Sequence, residues 1–108
     1  MTHPSNGLDD VVHQRVRLGI LAVLAETKRA DFAYLRTTLE LTDGNLARHL
    51  QVLEDAGYVR IAKAIEGNRP HTWVSATAKG LSALASEVAS LRAVLAVIDG
   101  GRGREAQT

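Results

Sequence analysis

Residues 42–80 read TDGNLARHLQVLEDAGYVRIAKAIEGNRPHTWVSATAKG. Thr42 is a good N-cap, because its hydroxyl can accept a backbone N–H left open in the first turn of a helix. Leu46, Leu50 and Leu53 then recur at helical spacing, predicting a helix that runs to about Ala56. Gly57 suits the left-handed residue that closes such a helix. Tyr58 to Ile65 alternates between apolar and basic or small residues, as an exposed strand does. Glu66 to Pro70 forms the turn, and His71 to Ala76 returns with the β-formers Thr72, Trp73 and Val74. Thr77 can cap a last helix from Ala78 to about Ile98.

Upstream, Asp9 and Asp10 favour a helix start, since carboxylates oppose the positive end of the helix dipole. Val12, Val16, Ile20, Val23 and Leu24 make its apolar stripe, and His13, Gln14 and Arg17 its polar face. This helix should end between Glu26 and Arg29. Asp31 caps a second, short helix, Phe32 to Leu39, with Phe32, Leu35 and Leu39 turned inward. Only Glu40-Leu41 separates it from Thr42, so the two helices form a helix-turn-helix. The predicted fold is mainly α with a small β-hairpin, in the order α-α-α-β-β-α: a winged helix-turn-helix. Residues 1–8 read as a flexible arm, 9–98 as the domain with its last helix at 77–98, and 99–108 as a disordered tail.

On the helix after Thr42, the side opposite the leucines presents Gly44, Asn45 and Arg48, with His49 on the flank. Such a face can enter a major groove. Arginine pairs bidentately with guanine and asparagine with adenine, each worth about 1–3 kcal/mol of discrimination. Gly44 would let the backbone approach a phosphate, and Thr42 with the free N–H groups of the first turn could bind one. A solvated polar face is the plainer reading of an isolated helix, but the tight turn before it and the hairpin after it favour double-stranded DNA. In the hairpin, Arg60, Lys63 and Arg69 outnumber Glu66, and Arg69 sits at the tip, where a guanidinium can enter a narrow minor groove. His71 is a further candidate for phosphate contact. Charged hairpins also protect sheet edges, and both uses can hold at once.

The bulk composition narrows the alternatives. At 108 residues the chain suffices for one domain. Net charge is only +1, so any affinity for DNA must come from placed groups and not from a general basic surplus. Cysteine is absent, and His3, His13, His49 and His71 have no ligand spacing, so no metal site and no cofactor is expected. No nucleophile elbow, P-loop or HExxH motif occurs, which argues against an enzyme. No apolar run reaches the roughly 18–20 residues of a bilayer span, and the start lacks signal-peptide order, so a cytoplasmic location without membrane contact is expected.

Leu81, Leu84, Val88, Leu91, Leu95 and Ile98 are spaced 3, 4, 3, 4, 3, an a/d seam. Packing on the first helix could cover part of it, but a second copy is the simplest cover for a seam this long. A twofold homodimer would suit a palindromic operator.

These residues resemble the MarR/ArsR superfamily of winged-helix transcriptional regulators, in its small single-domain form. The resemblance is carried by LARHLQVLEDAGYV at 46–59, Lys63, GNRPHT at 67–72 and TAKG at 77–80, and it extends from about Leu8 to Ile98. It implies sequence-specific DNA binding as a dimer, usually for repression, with Asn45, Arg48 and His49 facing the groove and Arg69 at the wing tip. Apart from the resemblance, a ligand-responsive form is an option, in which a small apolar effector could lodge between the first and last helices, where no polar cluster identifies it. The competing reading is a winged-helix protein–protein interaction module, which the near-neutral charge permits.

Overall fold

The computed structural model describes residues 3–106. Helix α1 spans Arg15–Thr27, strand β1 Arg29–Asp31, helix α2 Phe32–Thr38 and helix α3 Asp43–Asp55. Strands β2 (Val59–Glu66) and β3 (Arg69–Ala76) form the hairpin, and helix α4 is Ala78–Ala106. The mainly helical winged helix-turn-helix expected from the sequence is the fold observed.

Local chemistry explains most boundaries. Asp31 and Thr42 cap α2 and α3, each accepting a backbone N–H three residues on: Tyr34 at 2.7 Å and Asn45 at 3.1 Å. Gly57 closes α3 with φ +80. The hairpin turns through Gly67 (φ +57) and Asn68 (φ +64), with Glu66 opposite Arg69. Two consecutive positive φ values make the tight type I′ geometry that matches strand twist. Pro70 extends the strand where β3 has β2 as its only neighbour, because β1 reaches no further than Trp73.

The core joins Val16, Ile20, Leu21 and Leu24 of α1, Leu35 of α2, Leu46, Leu50 and Leu53 of α3, and Val59 and Val74 of the sheet. The start of α4 is pinned to this body. Thr77 Oγ1 donates to the Gly57 carbonyl (2.6 Å) and accepts the Gly80 N–H (3.0 Å), while the Thr77 N–H reaches the Tyr58 carbonyl (3.0 Å). Gly80 lies so close to that carbonyl that an added Cβ would stand 2.0 Å from the oxygen. The body is compact, but α4 runs on beyond it: the molecule measures 67 × 25 × 22 Å.

Four expectations are corrected. A third strand, β1, pairs with β3 and gives the sheet order β1-β3-β2. Three residues, Arg-Ala-Asp, carry no alternation to read, and their partner lies more than forty residues on. Helix α1 starts at Arg15, not near Asp9, because Asp9 spends its carboxylate on a separate turn, accepting the N–H groups of Val11 (2.8 Å) and Val12 (3.2 Å). Gln14, extended at φ −150, is the true N-cap. The expected arm and tail reach residues 1–2 and 107–108, outside those described. Inside the described range, Pro4–Gly7 forms a 3₁₀ turn packed on α4, and α4 continues to Ala106 because an established helix gains one hydrogen bond per added residue. Finally, Ala78–Gly101 is long and apolar enough, by length and composition, to cross a membrane. Lys79, Glu87, Arg92 and Asp99 interrupt the apolar run in sequence, yet only Glu87 and Arg92 lie in its middle, between Lys79 and Asp99.

Candidate nucleic-acid interface

Helix α3 buries Leu46, Leu50 and Leu53 and turns Gly44, Asn45 and Arg48 outward. Arg48 Nη2 donates to Asn45 Oδ1 at 3.3 Å, so the two side chains form one exposed donor–acceptor pair. At Gly44 an added Cβ would meet nothing within 4 Å. Packing therefore does not demand glycine there. The hydroxyl of Thr42 is engaged as the N-cap, at the exposed mouth of α3. Beside it, Arg36 of α2 holds Asp43 at 2.7 Å, an ion pair between exposed groups.

His49 departs from expectation. It is 8% exposed, not groove-facing, because α1 packs across the flank of α3 on which the 100° step places it. Arg17 Nη1 donates to His49 Nδ1 at 3.2 Å. Arginine has no acceptor, so this ring nitrogen must be unprotonated. Burial holds the imidazole below its ordinary pKa, reinforced by the charges of Arg17, Arg48 and Arg15. Those arginines gather positive charge between the start of α1 and the outer face of α3, despite the net charge of +1. Sequence reasoning did not select Arg15 or Arg17, since nothing local to α1 signals its approach to α3.

The wing residues divide between two faces. Val59, Ile61, Val74 and Ala76 face the core, so Lys63, opposite Thr72, continues that face and lines a hollow with Gln51 and Glu54 of α3. Arg60, opposite Ser75, and His71, opposite Ala64, lie on the other face. They are thus not part of one patch with Lys63, a correction that follows from the alternation of a pleated strand. His71 is engaged on that outer face: its ring stacks on Trp73 at 5.8 Å and lies 3.6 Å from the Asp31 carboxylate. The Arg29 guanidinium covers the Trp73 ring at 3.9 Å, and Trp73 Nε1 donates to Glu66 at 3.3 Å. Arg69 stands exposed at the tip beside the turn.

The α4 seam is divided too. Leu84 packs against the core of its own chain, and Val88 and Leu91 are half-buried. Leu81, Leu95 and Ile98 are 43, 58 and 45% exposed. The first half of α4 lies across the domain and the 3₁₀ turn, whereas the second half projects past them.

Comparison with known proteins agrees with this geometry. Residues 16–95 match the family described as winged helix DNA-binding domain. An uncharacterized protein of Methanocaldococcus jannaschii is 43% identical over 65 residues, 60% of this chain and 71% of that protein. The structure of a transcriptional regulator homologue from Pyrococcus horikoshii superposes with a TM-score of 0.84 at 34% identity, covering 92% of this chain and 99% of that one. A protein of Enterococcus faecalis assigned to the MarR family of transcriptional regulators superposes at 0.68 over 87% of this chain and 84% of its own; at 20% identity it shows the fold alone. Both solved structures are described as transcriptional regulators or their homologues. By its matched residues, its sheet and its helix order, the chain belongs to the winged helix DNA-binding domain family.

Proposed function

We propose that the protein is a sequence-specific, double-stranded DNA-binding transcriptional regulator that binds a palindromic operator as a homodimer and acts by repression. The observation that carries the reading is the pair Asn45 and Arg48, side by side on the outer face of a helix whose other face is locked into the core. Both groups suit base edges in a major groove. Gly44, which packing leaves free to be any small residue, supplies room for a phosphate at the mouth of the same helix. Lys63 flanks α3 and Arg69 tips the wing. Arg60 and His71, on the other face of the sheet, contribute less to this surface.

Dimerisation is supported by the exposed leucines and isoleucine of α4. A projecting helix with that surface is unfavourable in water unless covered, and a second copy of the same helix covers it with matched heptads. The expected location is the cytoplasm, with DNA. A small apolar effector would act between α1 and α4.

The test is retention of sheared genomic DNA by the purified protein, followed by titration at several salt concentrations. Binding with a steep salt slope is expected. Arg48→Ala should relax base preference, and Arg69→Ala should weaken binding across sequences. If both substitutions leave affinity for every fragment unchanged, the DNA reading fails. The net charge of +1 favours one second reading, a protein-interaction module, which predicts no salt-dependent retention at all.

A further inference from the structure

Glu87 of α4 is fully buried, at 0% exposure. Its Oε1 accepts the Asp9 N–H at 3.0 Å, and its Oε2 lies 2.7 Å from His13 Nδ1. Both partners belong to the segment Asp9–Gln14, which precedes α1. The same segment is held at its other side by Arg17, whose Nε donates to the Val11 carbonyl and whose Nη2 donates to the Asp10 carbonyl at 3.4 Å. The remaining nitrogen of that guanidinium grips His49 of α3. A third hook is Tyr58, at the junction of α3 and β2, whose hydroxyl donates to Asp9 Oδ2 at 2.9 Å. One six-residue strap is thus tied to α4, to the exit of α3 and, through Arg17, to the middle of α3.

Burying a carboxylate is expensive even when its partners are in place, so a buried charged pair adds little net stability over well-packed apolar groups replacing all its members, although removing Glu87 alone would strand the Asp9 N–H and His13. What a buried ion with directed partners does supply is a single arrangement of the groups around it. His49 directly follows Arg48 in the chain, so whatever sets His49 sets the roll of the outward face of α3.

We infer that Glu87 and Arg17 are positioning residues for DNA reading: through the strap Asp9–Gln14 they fix the angle between α4 and the outward face of α3. The inference rests on the DNA reading proposed above. It makes the geometry of α4 part of what sets the spacing and orientation of two half-sites, although Glu87 itself touches no nucleic acid.

The experiment is a double-mutant cycle on affinity, with Glu87→Gln, Arg17→Gln and the pair, using the duplex fragment that the unaltered chain retains best. Each single substitution should weaken binding about tenfold, and the double no more than the worse single, because both break one connection. His13→Ala, at a half-exposed side chain, is the gentler variant should Glu87→Gln fold poorly, and it should show the same non-additivity with Arg17→Gln. Amide hydrogen exchange in α3 is measured on the same proteins and should quicken in each single variant. Effects that multiply, or an unchanged dissociation constant in folded variants, overturn the inference. Should the unaltered chain retain no DNA, the DNA reading falls by itself; the strap is then judged by exchange alone, and unchanged protection of α3 in Glu87→Gln overturns it.

Discussion

The same methyl group, added at two glycines of this chain, should change stability in opposite directions. At Gly44, in the first turn of α3, an added Cβ meets no atom within 4 Å. Alanine there gains helix propensity and loses unfolded-state entropy, stabilising by about 0.5–1 kcal/mol. At Gly80, in the first turn of α4, the propensity term has the same sign, but the Cβ would lie 2.0 Å from the Tyr58 oxygen and 2.8 Å from its carbonyl carbon. Both are backbone atoms, and the Tyr58 carbonyl already accepts the Thr77 N–H. Relief requires α4 to move off the sheet by roughly an ångström, and overpacking of that kind costs about 1–3 kcal/mol or more. The clash therefore exceeds the propensity gain. Thermal unfolding at one fixed protein concentration checks this, since a self-associating protein melts in a concentration-dependent way. Gly44→Ala should raise the Tm by about 2–6 °C, and Gly80→Ala should lower it by about 5–15 °C. Gly44→Ala should also weaken DNA binding even as it stabilises the fold, since a methyl now stands where a phosphate would approach. A Gly80→Ala protein as stable as the parent would refute the packing argument. A stabilised Gly44→Ala protein with undiminished affinity would refute the role given to Gly44.

Leu95→Lys, at a side chain 58% exposed in the single chain, should leave the monomer's fold within about 0.5 kcal/mol of the parent while shifting sedimentation toward monomer; an unaltered dimer would show that the pairing surface lies elsewhere. Because His49 is held below its ordinary value of 6.5, the unfolded chain binds more protons around and below that pH. Denaturant midpoints should consequently fall as pH drops through 6.5, a loss that His49→Gln should reduce. Burial alone would raise the pKa of Asp9, but the Tyr58 hydroxyl and the N–H groups of Val12 and Val11 outweigh it and hold the carboxyl below 3.8. Its stabilising contribution is present above that pH and lost below it. Tyr58→Phe removes the largest lowering contact, so the acid unfolding transition should move to higher pH; an unmoved transition would contradict the assignment. The Tyr58 phenol is itself raised above 10 by its bond to Asp9, by burial and by the Asp9 charge, so this pair should also lose stability as pH climbs past 10 in the parent but not in Tyr58→Phe.

Much of the fold is legible residue by residue. Asp31, Thr42 and Thr77 announce helix starts, and Gly57 and Gly67-Asn68 announce a helix end and a hairpin. Each acts through hydrogen bonds or φ values that depend on near neighbours only. The leucine spacing in α3 likewise determined which face turns inward, and hence that Asn45 and Arg48 turn outward. What the chain alone did not disclose depends on partners far along it. Strand β1 exists because β3 offers it an edge. The wing cations part onto two faces once the register places Lys63 opposite Thr72 and Arg60 opposite Ser75. His49 lies on the flank by helical geometry, and only the packing of α1, through Arg17 thirty-two residues earlier, makes it a buried acceptor and not a groove-facing group. Nothing near Glu87 in the chain singles it out; the fold brings Asp9 to it across seventy-eight residues and makes it an anchor. Local hydrogen bonding and periodicity set the elements and their facing. The pairing of elements, which no short window of sequence contains, decided which polar side chains remain free to meet DNA and which are consumed in holding the helices at their angles.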